Sequence, residues 1–267
     1  MKADLINRCR LALLAGARAV SNTRYDERGY AEHYAQNLLP GLPLDLIARD
    51  FAQGAGRELD NKLRAAHSSA ALVANAFGFW RAESAKLRIA GTTGFETLRF
   101  EAACPTGLGG TAPHLDLLAT GAMPVAIESK CLEWMETKPA QFSESYDRLS
   151  ASRGHSRWFA EIARLRANPT AYLHLDAAQL IKHALGLTAC FRARPVLFVY
   201  LYWEPRNRAD WPQCRLHRDE TVHFAARMAG SSVRLVPLSY RELWAEWEEN
   251  GEPAHLSTLR LRYGRDA

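Results

Sequence analysis

Apolar residues recur at helical spacing in two stretches near the start of the chain. From residue 5 to 17 every fourth position is apolar, which predicts an amphipathic helix; the stripe comprises Leu5, Cys9, Leu13 and Ala17. From Arg57 to Trp80 the apolar residues alternate at intervals of four and three, so the spacing predicts one long helix over 57–80. Between these stretches, the segment LPGLPL (39–44) carries two prolines and a glycine that interrupt helical structure.

Five later stretches have the patterns of β-strands. Residues 95–104 (FETLRFEAAC) alternate in polarity, and two short apolar runs, HLDLLAT (114–120) and VAIESKC (125–131), flank the turn GAMP. The run PVLFVYLYW (195–203) is continuously apolar, which is typical of a central strand covered on both faces. The run SVRLVPL (232–238) predicts an outer strand.

Two helices are predicted among these later strands. The segment DAAQLIKHALG (176–186) has Asp176 as the expected N-cap and Gly186 as the expected end of the helix. The segment YRELWAEWEE (240–249) predicts a second helix near the C-terminus. An order of helix, three strands, helix and strand predicts an α/β fold in which helices flank a mixed central sheet.

Composition and charge narrow the classes of protein to consider. Lysine and arginine number 34 against 29 acidic residues, which gives a net charge of +5 and mildly favours a polyanionic partner. Only six of these cations are lysines and 28 are arginines, so a lysine falls within a motif by accident less often here than in a typical chain. Five widely separated cysteines indicate neither a disulfide framework nor a zinc ribbon, and a reducing cytoplasm fits best. Arginines interrupt the N-terminal apolar stretch, so we expect no membrane span and no signal peptide.

The two short runs at 114–131 carry acidic residues and a lysine. Asp116 lies in the first run, and the second ends in Glu128-Ser129-Lys130. Side chains alternate along a strand, so Glu128 and Lys130 project from one face, whereas Ser129 offers only its backbone carbonyl. Paired as a hairpin, the two runs would bring Asp116 beside Glu128. Oxygen ligands of this kind suit Mg²⁺, and a lysine can orient water or stabilise charge when a phosphodiester is hydrolysed.

Spacing alone does not distinguish this set from solvated strand ends. In a chain of this composition roughly 0.4 matches to an Asp followed by an acid-x-lysine triplet are expected by chance. Position favours the functional reading, because both acids stand at the ends of apolar strands, behind a long helix and ahead of a helix and a buried strand.

With these residues in this order, the sequence resembles the PD-(D/E)XK nuclease superfamily, whose restriction-endonuclease-like core runs αβββαβ. The matching motif is Asp116, eleven intervening residues, and then Glu128-Ser129-Lys130; Leu115 stands where many members have proline. The resemblance covers a catalytic core over 56–203. We expect a single nuclease-like domain over 1–267, with a helical N-terminal extension (1–55) and a C-terminal strand and helix (204–267).

The resemblance implies a role for several residues. Asp116, Glu128 and the Ser129 carbonyl would bind Mg²⁺, for which Mn²⁺ can substitute, and Lys130 would position or activate the attacking water. A further metal-binding acid is expected from Glu58 or from Glu101, and Glu58 is equally well read as an acid that favours a helix N-terminus. Many members carry a glutamine or lysine on the crossover helix; the candidates here are Gln179 and Lys182, whose alternative reading is a solvated helix edge.

The function implied by the resemblance is a Mg²⁺-dependent nuclease, with DNA favoured over RNA and an endonuclease of restriction or defence type favoured over an exonuclease. Its products would carry a 5′-phosphate. The alternative is a member of the same fold that binds nucleic acid without cutting it. An unrelated α/β enzyme of small-molecule metabolism is a third reading, for which the sequence carries no cofactor motif. A homodimer would suit the cutting of both strands, although no patch in the sequence indicates one.

Overall fold

A mixed sheet of five strands lies at the centre of the computed structural model, which describes residues 2–54, 59–108, 112–136, 138–148, 156–192, 194–251 and 253–267. The strands lie side by side in chain order: β1 (Phe95–Ala103), β2 (His114–Gly121), β3 (Val125–Lys130), β4 (Val196–Tyr202) and β5 (Val233–Ser239). The first three pair antiparallel, and β3, β4 and β5 pair parallel. The mixed α/β fold predicted from the sequence is confirmed.

The residues of β4 and β5 explain the positions of these two strands in the sheet. Every residue of β4 is buried, which confirms that the continuous apolar run forms an interior strand covered on both faces. At the edge, β5 contains Pro237, and proline is tolerated there because an edge strand need not donate every backbone hydrogen bond. The predicted outer strand is therefore the fifth and last of the sheet.

Eight α-helices surround the sheet within the described part of the chain. They are α1 (Lys2–Val20), α2 (Leu44–Ala52), α3 (Ser69–Phe77), α4 (Ser156–Ala167), α5 (Ala177–Phe191), α6 (Pro212–Arg227), α7 (Tyr240–Glu249) and α8 (Leu256–Tyr263). Helices α4 and α5 stand in the crossover from β3 to β4, and α6 stands in the crossover from β4 to β5. Among the described residues no helix is both long enough and apolar enough to cross a membrane.

The predicted long helix over 57–80 is wrong. Within the described residues of that range the α-helix is α3 alone, which begins after the N-cap Ser68, whose side chain accepts a hydrogen bond from the Ala71 backbone. Before it, the carbonyls of residues 63–65 accept hydrogen bonds from distant chain: the Ala31 backbone N–H donates to the Arg64 carbonyl, and the Asn37 side-chain amide donates to the Leu63 and Ala65 carbonyls. Apart from half-buried Leu59, the apolar stripe is buried as expected, but these carbonyls are bound to long-range partners rather than within a long α-helix.

Gly186 does not end α5, as the sequence predicted, because the helix continues to Phe191. The glycine is required by packing instead: a Cβ at this position would lie 2.2 Å from the carbonyl oxygen of Cys104, just beyond β1. The predicted N-cap is confirmed, since the Asp176 carboxylate accepts from the Gln179 backbone N–H at 2.9 Å. Helix α5 thus lies close against the chain that leaves β1.

Helices α6 and α8 were not predicted from the sequence. The buried positions of α6 are Cys214, His217, Thr221 and Phe224, which have helical spacing but include a histidine and a threonine. His217 is accommodated because its ring stacks on Trp134 at a centroid distance of 4.4 Å, and its Nε2 lies 3.0 Å from the Tyr200 hydroxyl. A stripe built partly from polar residue types does not register as an apolar pattern.

Candidate active site

The pairing of β2 with β3 stops just before the acidic residues. The last paired residues are Leu117 and Ile127. Beyond this pair, Oδ2 of Asp116 accepts a hydrogen bond from the Ser129 backbone N–H at 2.6 Å. A side-chain carboxylate therefore takes the place of a ladder hydrogen bond, and the two strand ends enclose a space that contains charged side chains.

Glu128 and Lys130 project from one face of β3, as the alternation of side chains predicts. Lys130 Nζ donates to Glu128 Oε1 at 2.6 Å and to Gln179 Oε1 of α5 at 2.8 Å. Ser129 turns to the other face, where its hydroxyl lies 2.7 Å from the Tyr240 hydroxyl of α7. Helices α5 and α7 consequently cover opposite faces of the sheet at this strand.

His183 is a member of the charged cluster that reading the sequence missed. It is 2% exposed, and its Nε2 lies 3.0 Å from Oε2 of Glu128. It follows Gln179 by four positions on α5, so the two side chains share a helix face. That spacing was the available signal, since a helix whose Gln179 faces the site must also direct residue 183 towards it.

Glu101 lies across the strand pair from Asp116. On β1, Glu101 lies between Phe100, which pairs with Leu117, and Ala102, which pairs with Leu115. Glu101 lines the same cavity as Asp116. Its φ of +48° lies in the left-handed region, which non-glycine residues rarely adopt. His114 contacts it through Nδ1, which is 3.1 Å from the Glu101 carbonyl and 3.9 Å from Oε2. Strained backbone of this kind is often found at functional sites.

The two central carboxylates differ in their readiness to ionise. Asp116 keeps a little contact with solvent, but its burial raises the pKa of Asp116 well above the ordinary value, and the neighbouring Glu128 raises it further. The charge of Lys130 and the hydrogen bond from the Ser129 N–H lower that pKa and only partly offset the increase. Burial also raises the pKa of Glu128, yet the charges of Lys130 and His183 outweigh it and bring that pKa to about 2. Glu128 is therefore ionised at neutral pH, and a charge on Asp116 is disfavoured.

Lys130 keeps its proton although it is almost buried. Burial alone would lower the pKa of Lys130, but the carboxylates of Glu128, Glu133 and Asp116 raise it above its usual value. An ammonium group held in this state is a hydrogen-bond donor and a positive charge. It is not a base in the metal-free protein.

These side chains open into a cavity of about 560 Å³. Its lining comprises Lys62, Ser69, Glu101, His114, Asp116, Glu128, Ser129, Lys130, Glu133, Trp134, Glu136, Lys138, Leu173, Leu175, Asp176, Gln179 and Tyr200. Glu133 ties two walls together: Oε1 accepts from the Ser69 hydroxyl and Oε2 from the Cys131 N–H, both at 2.7 Å. The lining includes six acidic residues and three lysines, so the cavity has an excess of negative charge.

Among the described residues singled out from the sequence, all but Lys182 meet in this cavity. Lys182 is absent from the lining, and its Nζ lies over the ring of Phe142 at 5.7 Å from the centroid. Glu58 lies outside the described residues. Glu101, the other acid considered as an additional ligand, lines the cavity together with Asp116.

The chemistry of the cluster suits a hard divalent cation. Oε2 of Glu128 is buried beside the His183 imidazole, and the charge on Asp116, which burial and Glu128 disfavour, is one that a cation would stabilise. Backbone groups alternate along a strand: the Lys130 carbonyl accepts from Trp203 beyond β4, so the Ser129 carbonyl points to the β2 side, towards Asp116. Among the described residues no three His, Cys, Asp or Glu side chains form a ligand cluster. Two carboxylates, one carbonyl and water are nevertheless a set of oxygen ligands that Mg²⁺ accepts.

Comparison with known proteins adds one finding. A family profile described as Restriction Endonuclease associating with ARP matches residues 10–264. No curated protein and no solved structure matches the chain. The matched range includes all five strands and every residue that lines the cavity.

Replacing Asp116 by Asn should raise the free energy of unfolding of the metal-free protein at neutral pH, because burial and the neighbouring Glu128 disfavour the charge on Asp116. Because the pKa of Asp116 is raised on folding, its contribution to stability is complete below its unfolded-state pKa and is lost as the pH rises through the folded-state pKa. Asn has no charge to bury and can still accept from Ser129. In urea titrations the difference in free energy of unfolding between Asp116→Asn and the natural chain should widen as pH rises above 3.8.

The matched control is Asp219→Asn, which removes an exposed carboxylate on α6 and should show no such widening. An Asp116→Asn protein that is less stable than the natural chain at neutral pH would contradict the electrostatic description of the site.

Proposed function

The chain belongs to the protein family described as Restriction Endonuclease associating with ARP, and we propose that it is a divalent-metal-dependent nuclease that hydrolyses phosphodiester bonds in DNA. Membership in that family, and the sheet order it shares with the restriction-endonuclease-like fold, support a nuclease. The observation that carries the proposal is the convergence of Asp116, Glu128 and Lys130 on one cavity, where β2 and β3 part.

In this mechanism Asp116, Glu128 and the Ser129 carbonyl would hold the metal, and Mg²⁺ or Mn²⁺, when bound, would supply charge neutralisation at the phosphoryl oxygens and lower the pKa of water. The ionised form of Asp116, which Glu128 disfavours in the metal-free protein, would be stabilised by that positive charge. Glu101, which lines the same cavity, would add a further oxygen ligand.

Lys130 positions the water and stabilises charge. Its ammonium group is held by Glu128 and by Gln179, so its direction is set before substrate arrives, and preorganised donors of this kind are the usual means of lowering the barrier to phosphoryl transfer. Water gives up a proton to solvent as its oxygen attacks phosphorus, the bond from phosphorus to the 3′ oxygen breaks, and the 3′ oxygen takes up a proton, so that one product ends in a 3′-hydroxyl and the other carries a 5′-phosphate. We propose that the enzyme is an endonuclease, which cuts DNA at internal sites. Its role would be restriction or defence, and it would act in a reducing cytoplasm.

The natural chain should cleave DNA in the presence of Mg²⁺, and Lys130→Ala and Glu128→Ala should each reduce the rate by about 10²-fold or more, since one preorganised donor or ligand is worth that much. The measurement is a cleavage screen over plasmid, linear duplex, single-stranded DNA and RNA, with Mg²⁺, Mn²⁺ or chelator. Cleavage products labelled for their 5′ ends identify the bond that breaks.

Lys86→Ala serves as the control for Lys130→Ala, because Lys86 is exposed, pairs with Glu83 and is not part of the cavity. It should cleave as the natural chain does. Full activity of Lys130→Ala would refute the assignment, and chelator-insensitive binding with no cleavage under any metal would support a non-cleaving binding protein instead.

Gln179 and Lys182 offer a matched pair on one helix. Gln179→Ala removes the second hydrogen bond of Lys130, and we expect kcat to fall roughly 10-fold, since the loss is a positioning contact worth about 1.4 kcal/mol. Lys182→Ala should leave kcat close to that of the natural chain, because Lys182 does not line the cavity. Steady-state cleavage of one duplex by both variants makes the comparison. Equal effects would show that Gln179 acts through the helix and not through Lys130.

A further inference from the structure

The segment that leads into α3 contributes to two cavities. Ser69 lines the catalytic cavity of the proposed nuclease, and His67, two residues before it, lines a second cavity of about 250 Å³. Two residues of chain span at most about 7 Å, so the second cavity lies next to the first. A polymer bound in the catalytic cavity can therefore also reach the second one.

Two arginines that line the second cavity belong to no ion pair in the described part of the chain. Arg10 lies on α1, Arg28 lies in the turn that follows this helix, and both are exposed. Arg28 also lies over the ring of Tyr30, at 5.2 Å from its centroid, a contact that occupies no hydrogen-bond acceptor. By contrast, Arg227 is held by the buried carboxylate of Glu161. Arg10 and Arg28 therefore offer two positive charges to a ligand.

His67 adds a third group that can bind an anion. Its ring is half-buried and stands edge-on to Tyr30, and neither ring nitrogen has a hydrogen-bond partner in the described part of the chain. Burial lowers the pKa of His67, the charge of Arg10 lowers it further, and Glu133 of the catalytic cavity raises it. The imidazole is therefore neutral at neutral pH and has one N–H to donate.

The turn that carries Arg28 is fixed to the segment that carries His67. The Asp26 carboxylate accepts a hydrogen bond from the Arg28 backbone N–H at 2.9 Å. Gly29 has a φ of +84°, and its carbonyl accepts from the Ala66 N–H at 2.9 Å. These bonds hold the backbone of the two segments together before any ligand arrives, which limits the entropy lost on binding.

We propose that Arg10 and Arg28, together with His67, bind one phosphate of the DNA backbone beside the catalytic cavity. Guanidinium groups match the oxygens of a phosphate. The cavity of about 250 Å³ is several times the roughly 30 Å³ that one water molecule occupies in the liquid, so a phosphate group fits.

The charge of the catalytic cavity explains why such a contact is needed. Its lining has six acidic residues and three lysines, so a polyanion that enters it needs attraction from a neighbouring surface. The proposal rests on the proposed function, because it presumes a DNA substrate, but it concerns binding and not the chemical step.

The test is equilibrium binding of a fluorescent DNA duplex, followed by anisotropy over a range of NaCl concentrations, with Ca²⁺ and with chelator. The double variant Arg10→Ala/Arg28→Ala is compared with the natural chain and with Arg18→Ala, which removes an exposed arginine of α1 outside both cavities. A denaturing gel after each titration verifies that the DNA is intact, and melting temperatures verify folding.

The double alanine variant should bind DNA roughly 10-fold more weakly at about 0.1 M salt, and the slope of log K against log salt should fall in magnitude by about 0.9, the value for one phosphate contact with duplex DNA. Arg18→Ala should keep the natural affinity and slope. Arg10→Lys/Arg28→Lys should keep the natural slope, because ammonium groups also neutralise a phosphate. Glu27→Gln should bind more tightly than the natural chain, because this exposed carboxylate also lines the cavity and repels a phosphate.

A double alanine variant with the affinity and slope of Arg18→Ala would overturn the inference. A double lysine variant that loses as much slope as the alanine variant, or weaker binding by Glu27→Gln, would overturn it as well, since neither result follows from the charge of a phosphate.

Failure of the inference is separable from failure of the proposed function. A natural chain that cleaves DNA while the alanine variant binds normally refutes only the phosphate site. Binding with the expected loss of slope in the variant, but without cleavage by the natural chain, supports the phosphate site and refutes the nuclease. A natural chain that neither binds nor cleaves DNA refutes both.

Discussion

The carboxylate of Glu128, which is 2% exposed at the end of an interior strand, sets the conditions that the rest of the site must meet. A buried charge costs several kcal/mol unless it is paired and hydrogen-bonded. Lys130 on the same strand pairs with one oxygen of this carboxylate, and the His183 imidazole lies beside the other. Gln179 in turn accepts a hydrogen bond from Lys130. Both helical residues lie on α5, so neutralising one carboxylate also fixes that helix against β3, where Gly186 lets it approach the chain beyond β1.

Asp116 is the residue that this arrangement leaves unbalanced. Its carboxylate is needed to accept the Ser129 N–H where the β2–β3 ladder ends, yet Glu128 stands beside it and Glu101 lies across the strand pair. Three acidic side chains, on β1, β2 and β3, therefore lie close together at this end of the sheet, and the described side chains do not neutralise all of their charge. Sites that bind cations commonly keep this kind of conflict at the expense of stability, and here the conflict lies where a cation would relieve it.

The parts of this structure that the sequence predicts are those with local causes. A continuous apolar run of this length is typical of an interior strand, and alternation on β3 directs Glu128 and Lys130 to one face whatever surrounds them. The parts it does not predict depend on distant chain. The α-helical pattern is interrupted before α3 because Asn37 binds the Leu63 and Ala65 carbonyls, and position 186 inside α5 is glycine because Cys104 passes close by. His183 needed the orientation of α5, which only the fold supplies.

The most direct test of the account is whether the metal-free chain binds a divalent cation through these carboxylates. Titration of Mn²⁺ into the protein at neutral pH, followed by electron paramagnetic resonance, measures the ions that leave the free pool. The account predicts saturable binding by the natural chain and by Asp219→Asn, and its loss in Asp116→Asn and in Glu128→Gln. A natural chain that leaves Mn²⁺ free, or carboxylate variants that bind it as the natural chain does, would contradict the account.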